Sequence, residues 1–334
     1  MAAAACQTHR GKFFPAVQFD ADEGRKPCYN KKLQKGGSAV KKGKSPEGMG
    51  ALFVILSAIL FGTMPLLTKI VYAYGGNTYT VAFWRFAFGT VTVALIIAFS
   101  PRLSFRVTAS EFRRLVLLSV FCGITPLLLY SSYQYVSSGL ATTLHFTYPV
   151  SVMVLGALFF RTKLHGRQLL CLSICAAGVI CFYQPGQNEG LEGMAIAVLS
   201  GVTFALYILL LGKSGLSHLP MLTISFWISL LCAVEIGLFS AVSGKLMVAL
   251  PWQAWAAVGV LGVFVAALAQ VLFQTGVFLC GEVKASLLST FEPLTGVVIG
   301  ILVFHEALTV RIAAGIVLIL LAAVLLVVSP GEKK

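Results

Sequence analysis

From Gly50 onward the chain alternates between apolar runs of about 20 residues, enough to cross a bilayer as a helix, and short polar breaks. The runs fall at roughly 50–71, 79–99, 114–135, 139–160, 167–184, 192–212, 220–242, 252–277, 283–304 and 309–329. The breaks carry turn residues: Gly75-Gly76-Asn77, Ser100-Pro101, Ser137-Ser138-Gly139, Pro185-Gly186-Gln187-Asn188 and Ser243-Gly244. This pattern predicts an all-α integral membrane protein with ten transmembrane helices.

Composition agrees. Of 334 residues, 58% are hydrophobic and 11% charged, against roughly 25% charged in soluble domains. There are too few polar groups to cover a water-facing surface, which argues against a soluble enzyme, a disordered regulator or a nucleic-acid-binding domain. The net charge of +13 is split almost evenly between residues 1–48 and the far longer apolar body; residues 1–48 form a basic leader with no apolar core of signal-peptide type. It reads as a disordered cytoplasmic tail, with Met49 before the first apolar run left open as an alternative start.

Loop charge sets the orientation. With the N-terminus inside, the inner loops hold Arg102, Arg106, Arg113, Arg114, Arg161, Lys163, Arg167, Lys213 and Lys284, and the tail adds Lys333 and Lys334. The outer loops hold Lys245 and Arg311, with Lys69 at the outer end of the first span. Both termini are therefore expected in the cytoplasm, in the plasma membrane. Most cysteines lie in apolar runs, where a thiol is a small hydrophobe; no metal or cofactor is expected.

The chain also repeats itself. A shift of 143 puts Gly50 on Gly193, Ser57 on Ser200, Thr80 on Thr223 and Phe83-Trp84 on Phe226-Trp227. A shift of 144 puts Ala141 on Ala285, Pro149 on Pro293, Gly156 on Gly300 and Arg167 on Arg311. Two five-span halves are expected, 50–184 and 192–329. An odd number of spans per half inserts the second half upside down, as in secondary transporters whose substrate site lies at the midplane between the halves.

The paired segments Ser138-Gly139-Leu140-Ala141 through Pro149, Gly156 and Leu164, and Ala285 through Glu292-Pro293-Leu294, Gly300 and His305-Glu306-Ala307-Leu308, resemble the EamA domain of the drug/metabolite transporter superfamily. Phe83-Trp84-Arg85-Phe86 resembles its aromatic–Arg element. In the first half Arg161-Thr162-Lys163 stands where that family carries a Glu, and Tyr148-Pro149 replaces Glu-Pro. The resemblance implies two inverted five-helix repeats that move small organic metabolites, often exporting amino acids.

Charge inside a membrane costs ~2.5–3.5 kcal/mol per group on insertion scales, so the few intramembrane charges are the first candidates: Lys69, Arg85, Glu235, Glu282, Lys284 and Glu292. Arg85, about 9 Å into its span at 1.5 Å per residue, is read either as a carboxylate or phosphate clamp, or as a side chain that snorkels to the outer interface or pairs with Glu235. Glu292 beside Pro293, and His145, are the candidates for coupling to a proton. Hydroxyls, amides and rings that could line a cavity are Trp84, Tyr130, Gln134, Tyr148, Tyr207, Gln270, Gln274 and Ser289. Pro65, Pro126, Pro149 and Pro293 are expected to kink their spans.

The partners expected are thus a small organic metabolite, membrane lipid and a proton, with no nucleic acid. A nucleotide-sugar or phosphorylated-metabolite carrier is the alternative, although it would call for more cavity cations. An intramembrane serine enzyme built on Gly212-Lys213-Ser214-Gly215 with His218 is a weaker reading, and a non-transporting membrane component another.

Overall fold

The structure is a computed structural model and describes residues 46–136, 138–161, 165–181, 191–304 and 310–327. The basic leader and the stretches holding Thr162-Lys163, Pro185–Asn188 and His305–Leu308 lie outside the described residues. All regular structure among those described is helical. In the first half these are α1 (Pro46–Phe61), α2 (Met64–Ala73), α3 (Thr78–Ala98), α4 (Ala109–Ser132), α5 (Ser138–His145), α6 (Tyr148–Phe160) and α7 (Gly166–Ile180). The second half holds α8 (Leu191–Lys213), α9 (Met221–Val242), α10 (Trp252–Val260), α11 (Gln270–Cys280), α12 (Glu282–Leu288), α13 (Phe291–Phe304) and α14 (Val310–Val327).

Among the described residues, six helical stretches are long and apolar enough to cross a bilayer: α1–α2, α3, α4, α8, α9 and Trp252–Cys280. The remaining expected spans fall on shorter helices. α10 and α11 are continuous through a wide, π-helical stretch at Leu261–Ala269. The expected fourth and ninth spans are each split, at Phe146-Thr147 and Ser289-Thr290, and α7 has 15 residues. Proline supplies the reason: Pro65 and Pro149 sit in the first turn of α2 and α6, where a missing N–H costs nothing. Pro126 instead lies inside an unbroken α4.

The ends of the long helices are fixed locally. Asn77 caps α3 by accepting from the Thr80 amide at 2.9 Å. Thr108 and Glu111 form a reciprocal capping box at the start of α4. Gly281, at φ 84, makes the turn between α11 and α12 in a region closed to most side chains.

The two halves exchange contacts in the way the sequence shift demands. Near the start of α3, Thr80 Oγ1 accepts from the Met247 amide (3.1 Å) and Trp84 Nε1 donates to the Met247 carbonyl (3.3 Å). Near the start of α9, Thr223 Oγ1 donates to the Ser104 carbonyl and Trp227 Nε1 to that of Phe105, both at 2.8 Å. The shift of 143 carries Thr80 to Thr223, Trp84 to Trp227 and Ser104 to Met247.

The same holds elsewhere. A β-carbon on Gly50 would lie 2.7 Å from that of Leu279, and one on Gly193 2.5 Å from that of Tyr135. Arg167 Nη2 donates to the Leu325 carbonyl, and Arg311 Nη2 to that of Ile180. Each helix start meets the chain that leaves its partner's far end, so α3 and α9 run antiparallel. The halves are thus related by a pseudo-two-fold axis across the helices.

The shared interior is built from Val54, Phe86, Tyr130, Tyr207, Ile228, Val258, Phe273 and Leu288, all at 2% exposure or less. Val91, Leu95, Leu158, Phe159 and Leu238 remain exposed on the outside, an apolar belt suited to lipid contact.

Candidate functional site

Between the halves lies a cavity of about 40 Å³, walled by Phe61, Met64, Arg85, Cys122, Thr125, Pro126, Leu129, Tyr130, His145, Phe204, Gln270 and Glu292. Eight helices of the bundle contribute, and three of the helix breaks gather here. Gly62 lies between α1 and α2, and a β-carbon there would come within 2.6 Å of the Glu292 carbonyl. Only glycine lets the break in the first span seat against the start of α13.

Arg85 and Glu292 are the two charged groups on this wall, each at 5% exposure. Arg85 Nη1 donates to the Tyr130 hydroxyl at 2.8 Å, and the guanidinium lies over the Phe86 ring, 5.0 Å from its centroid. Its Nε has no hydrogen-bond partner. Tyr130 reaches on to Met64 Sδ at 3.5 Å, so the arginine is braced on one side only. Glu292 is in the first turn of α13, where the helix dipole favours an anion. No ion pair joins Arg85 to Glu292 or to Glu235 among the described residues. Arg85 is therefore not the partner of Glu235 that sequence alone allowed.

Behind this wall lies an amide–hydroxyl layer. Gln270 Nε2 donates to Tyr207 Oη (3.2 Å) and to Cys122 Sγ (3.3 Å), and Gln274 Nε2 donates to Tyr207 Oη (3.1 Å). His145 Nδ1 bonds Ser200 Oγ at 2.8 Å. Because that hydroxyl donates to the Ala197 carbonyl, the imidazole is the donor in this pair. Phe204, Tyr148 and Phe146 surround the ring.

Of the residues singled out in the sequence, Arg85, Tyr130, His145, Gln270 and Glu292 thus meet on one cavity, with Tyr207 and Gln274 one layer behind. Tyr148 is buried beside His145. Ser289 turns its hydroxyl to the Ala285 carbonyl. Trp84 is at the bundle's rim, edge-on to Trp255. Gln134 is exposed and donates to Thr78 Oγ1. The cavity residues missed by sequence reading are mostly apolar, and Phe61, Met64, Leu129 and Phe204 carry no signal that separates them from core.

The remaining intramembrane charges lie elsewhere. Lys69 is exposed. Lys213 pairs with Glu282 at 2.8 Å and Lys284 with Glu47 at 3.7 Å, at the helix ends. Glu235 accepts from Ser119 Oγ at 2.6 Å. In the Gly212–Gly215 turn, Ser214 Oγ donates to its own helix at Leu211, while His218 Nε2 bonds Glu111. The serine and the histidine do not form the nucleophile–base pair that serine chemistry needs.

Two interlocked halves around a two-charge cavity are the architecture of a two-repeat membrane protein. The comparisons name the kind. The chain matches the EamA-like transporter family twice, over residues 48–184 and 191–328, and it belongs to that family.

An uncharacterized transporter of Archaeoglobus fulgidus is 27% identical over 81% of this chain and 93% of that protein. The uncharacterized transporter sll1319 of Synechocystis is 24% identical over 86% and 96%. An uncharacterized inner membrane transporter of Escherichia coli, YhbE, is 26% identical over 44% of this chain and 46% of its own length. A crystal structure of another protein superposes with TM-score 0.70 at 15% identity, over 84% of this chain and 98% of that one, a likeness of fold alone. The protein is a multi-pass membrane transporter.

Proposed function

We propose that the protein exports amino acids or closely related zwitterionic metabolites by alternating access around the central cavity. The observation that carries this reading is the pair Arg85 and Glu292, buried on one cavity wall without bonding each other. Two unpaired opposite charges in a low-dielectric interior are costly. A substrate carboxylate on the guanidinium, whose Nε is unengaged, and an ammonium on Glu292 would neutralise both at once. Phe61 and Phe204 would then meet the apolar remainder. A single wall cation suits one carboxylate better than the diphosphate of a nucleotide sugar.

A cavity of about 40 Å³ holds little more than one water, so it must widen to admit a metabolite. In this reading the split pairs α1–α2, α5–α6 and α12–α13 cross the bilayer as broken helices, and α7 and α14 complete ten crossings. Breaks of this kind at the midplane suit substrate binding. The Lys/Arg bias puts both chain ends in the cytoplasm.

The test is equal-pH counterflow of a radiolabelled mixture of neutral amino acids into proteoliposomes. Wild-type protein should exchange label, and Arg85→Lys, which loses the planar fork, should cut exchange at least about tenfold, as should Glu292→Gln. Absence of exchange by folded wild-type protein overturns the reading.

A further inference from the structure

Three charges inside the bundle have no counterpart in the other half. Under the repeat shift Arg85 falls on Ile228, Glu292 on Tyr148 and Glu235 on Thr92. Two of the three line the cavity. The third, Glu235, lies where α4 crosses α9, a contact between the first half and the second.

The mate of that crossing shows what the fold itself requires. There Gly89 meets Ala266 so closely that a β-carbon on Gly89 would lie 2.7 Å from that of Ala266. Thr92 returns its hydroxyl to its own helix at Phe88. Small residues and backbone contact suffice to hold the halves together.

At the α4–α9 crossing the equivalents of Gly89, Ala266 and Thr92 are Cys232, Cys122 and Glu235, with Ser119 one turn from Cys122 on α4. The Glu235 carboxylate accepts from Ser119 Oγ at 2.6 Å. Its second oxygen lies 3.6 Å from where a β-carbon on Gly123 would stand, so the carboxylate is drawn against the α4 backbone. Glu235 is half-buried, within a helix that crosses the bilayer.

Neighbouring contacts lie on both sides of this crossing. Toward the cavity, Gln270 on the wall donates to Cys122 Sγ at 3.3 Å; at the crossing, Cys232 Sγ donates to the Ser119 carbonyl at 3.4 Å, and both Cys232 Sγ and the Glu235 carboxylate lie within 4 Å of where a β-carbon on Gly123 would stand. Of the helices packed against α9, α4 brings Ser119 and Cys122, α11 brings Gln270 and Gln274, and α3 carries Arg85, which is bonded to Tyr130.

We propose that Glu235 carries the proton whose inward movement drives export, while Glu292 binds substrate; this rests on the carrier reading given above. The carboxylate takes up one proton on the oxygen that Ser119 does not engage, and gives it back to water on the opposite side after the halves rearrange. Neutralising Glu235 removes a charge from the inter-half crossing, so the crossing can shift without dragging an anion through lipid. The pairing with Ser119 survives either state.

The experiment uses the full chain reconstituted in liposomes, with two readouts. Infrared difference spectra between acid and alkaline buffer should show a protonated-carboxyl band that Glu235→Gln removes, Glu235→Asp shifts and Glu292→Gln leaves in part. Gln accepts from Ser119 as Glu does, which preserves the packing. With the neutral amino acid mixture, the ratio of pH-gradient-driven accumulation to equal-pH exchange should fall at least about tenfold in Glu235→Gln. An unchanged band, or an unchanged ratio, overturns the proposal and leaves Glu235 as an interhelical fastener. If wild-type protein moves no amino acid, the carrier reading fails while the infrared band still decides the proton site.

Discussion

The two ends of the bundle carry the same fastening in different dress. At one end Thr80 and Trp84 hold the chain at Met247; at the other Thr223 and Trp227 hold Ser104 and Phe105. Around the first of these the further contacts use no ion pair among the described residues. Asn77 Nδ2 donates to the Lys245 carbonyl at 2.7 Å, Lys245 Nζ lies over the Tyr79 ring, and Thr78 joins Tyr72 and Gln134. Around the second, Glu111 meets His218, Lys213 meets Glu282, Lys284 meets Glu47, and Arg114 Nη1 donates to the Ser214 carbonyl at 2.8 Å.

The difference separates two jobs. Duplicated threonine and tryptophan contacts fasten the two ends alike, and contacts that are not duplicated set the ends apart. In the orientation proposed above the ion-paired end faces the cytoplasm, and its fastening is the one expected to respond to ionic strength.

The symmetric part can be broken most heavily at its glycines. Gly50→Val and Gly193→Val each force a side chain into a neighbouring helix, and overpacking of this kind costs about 1–3 kcal/mol. Thermal unfolding in detergent should show two similar losses; a large loss for one alone would mean that the halves are less alike in energy than in contact. Smaller effects are expected at the fastenings. Thr80→Val and Thr223→Val each remove one hydrogen bond worth about 1 kcal/mol. They should move the balance between the two closed ends by about fivefold in opposite directions, read from spin-label distances across each end.

The smallest effects belong to the ion pairs. Exposed pairs are worth about 0.2–1 kcal/mol, so Glu111→Gln should loosen the charged end by no more than that. Raising salt from low to high should mimic it in wild-type protein and have little effect in the variant. Equal salt dependence of spin-label distances at both ends would remove the distinction between them.

Much of this arrangement was legible in the sequence because repetition survives in residue types that are hard to match by accident. Phe-Trp on Phe-Trp and Arg167 on Arg311 marked the shift, and the contacts at Met247, Phe105, Leu325 and Ile180 obey it. Arg85 and Glu292 were legible as candidates because intramembrane charge is rare. Their meeting on one cavity was not, since span two and span nine are remote in the chain. Trp84 and Gln134 looked like cavity groups for want of any signal that distinguishes a rim from a wall. The hydropathy pattern does not mark where a span breaks: it averages over about 20 residues, while one proline and its freed carbonyls split a helix within two.

What the sequence by itself determined is the membrane solvent, the duplicated halves and the short supply of charge, because these follow from composition and periodicity along one chain. Tertiary structure alone decided the partners: Arg85 with Tyr130 rather than Glu235, Glu235 with Ser119, and Glu111 with His218. Each pairing joins residues from different helices, and its energy depends on angstrom-scale distances and on exclusion of water, neither of which is written in the order of residues.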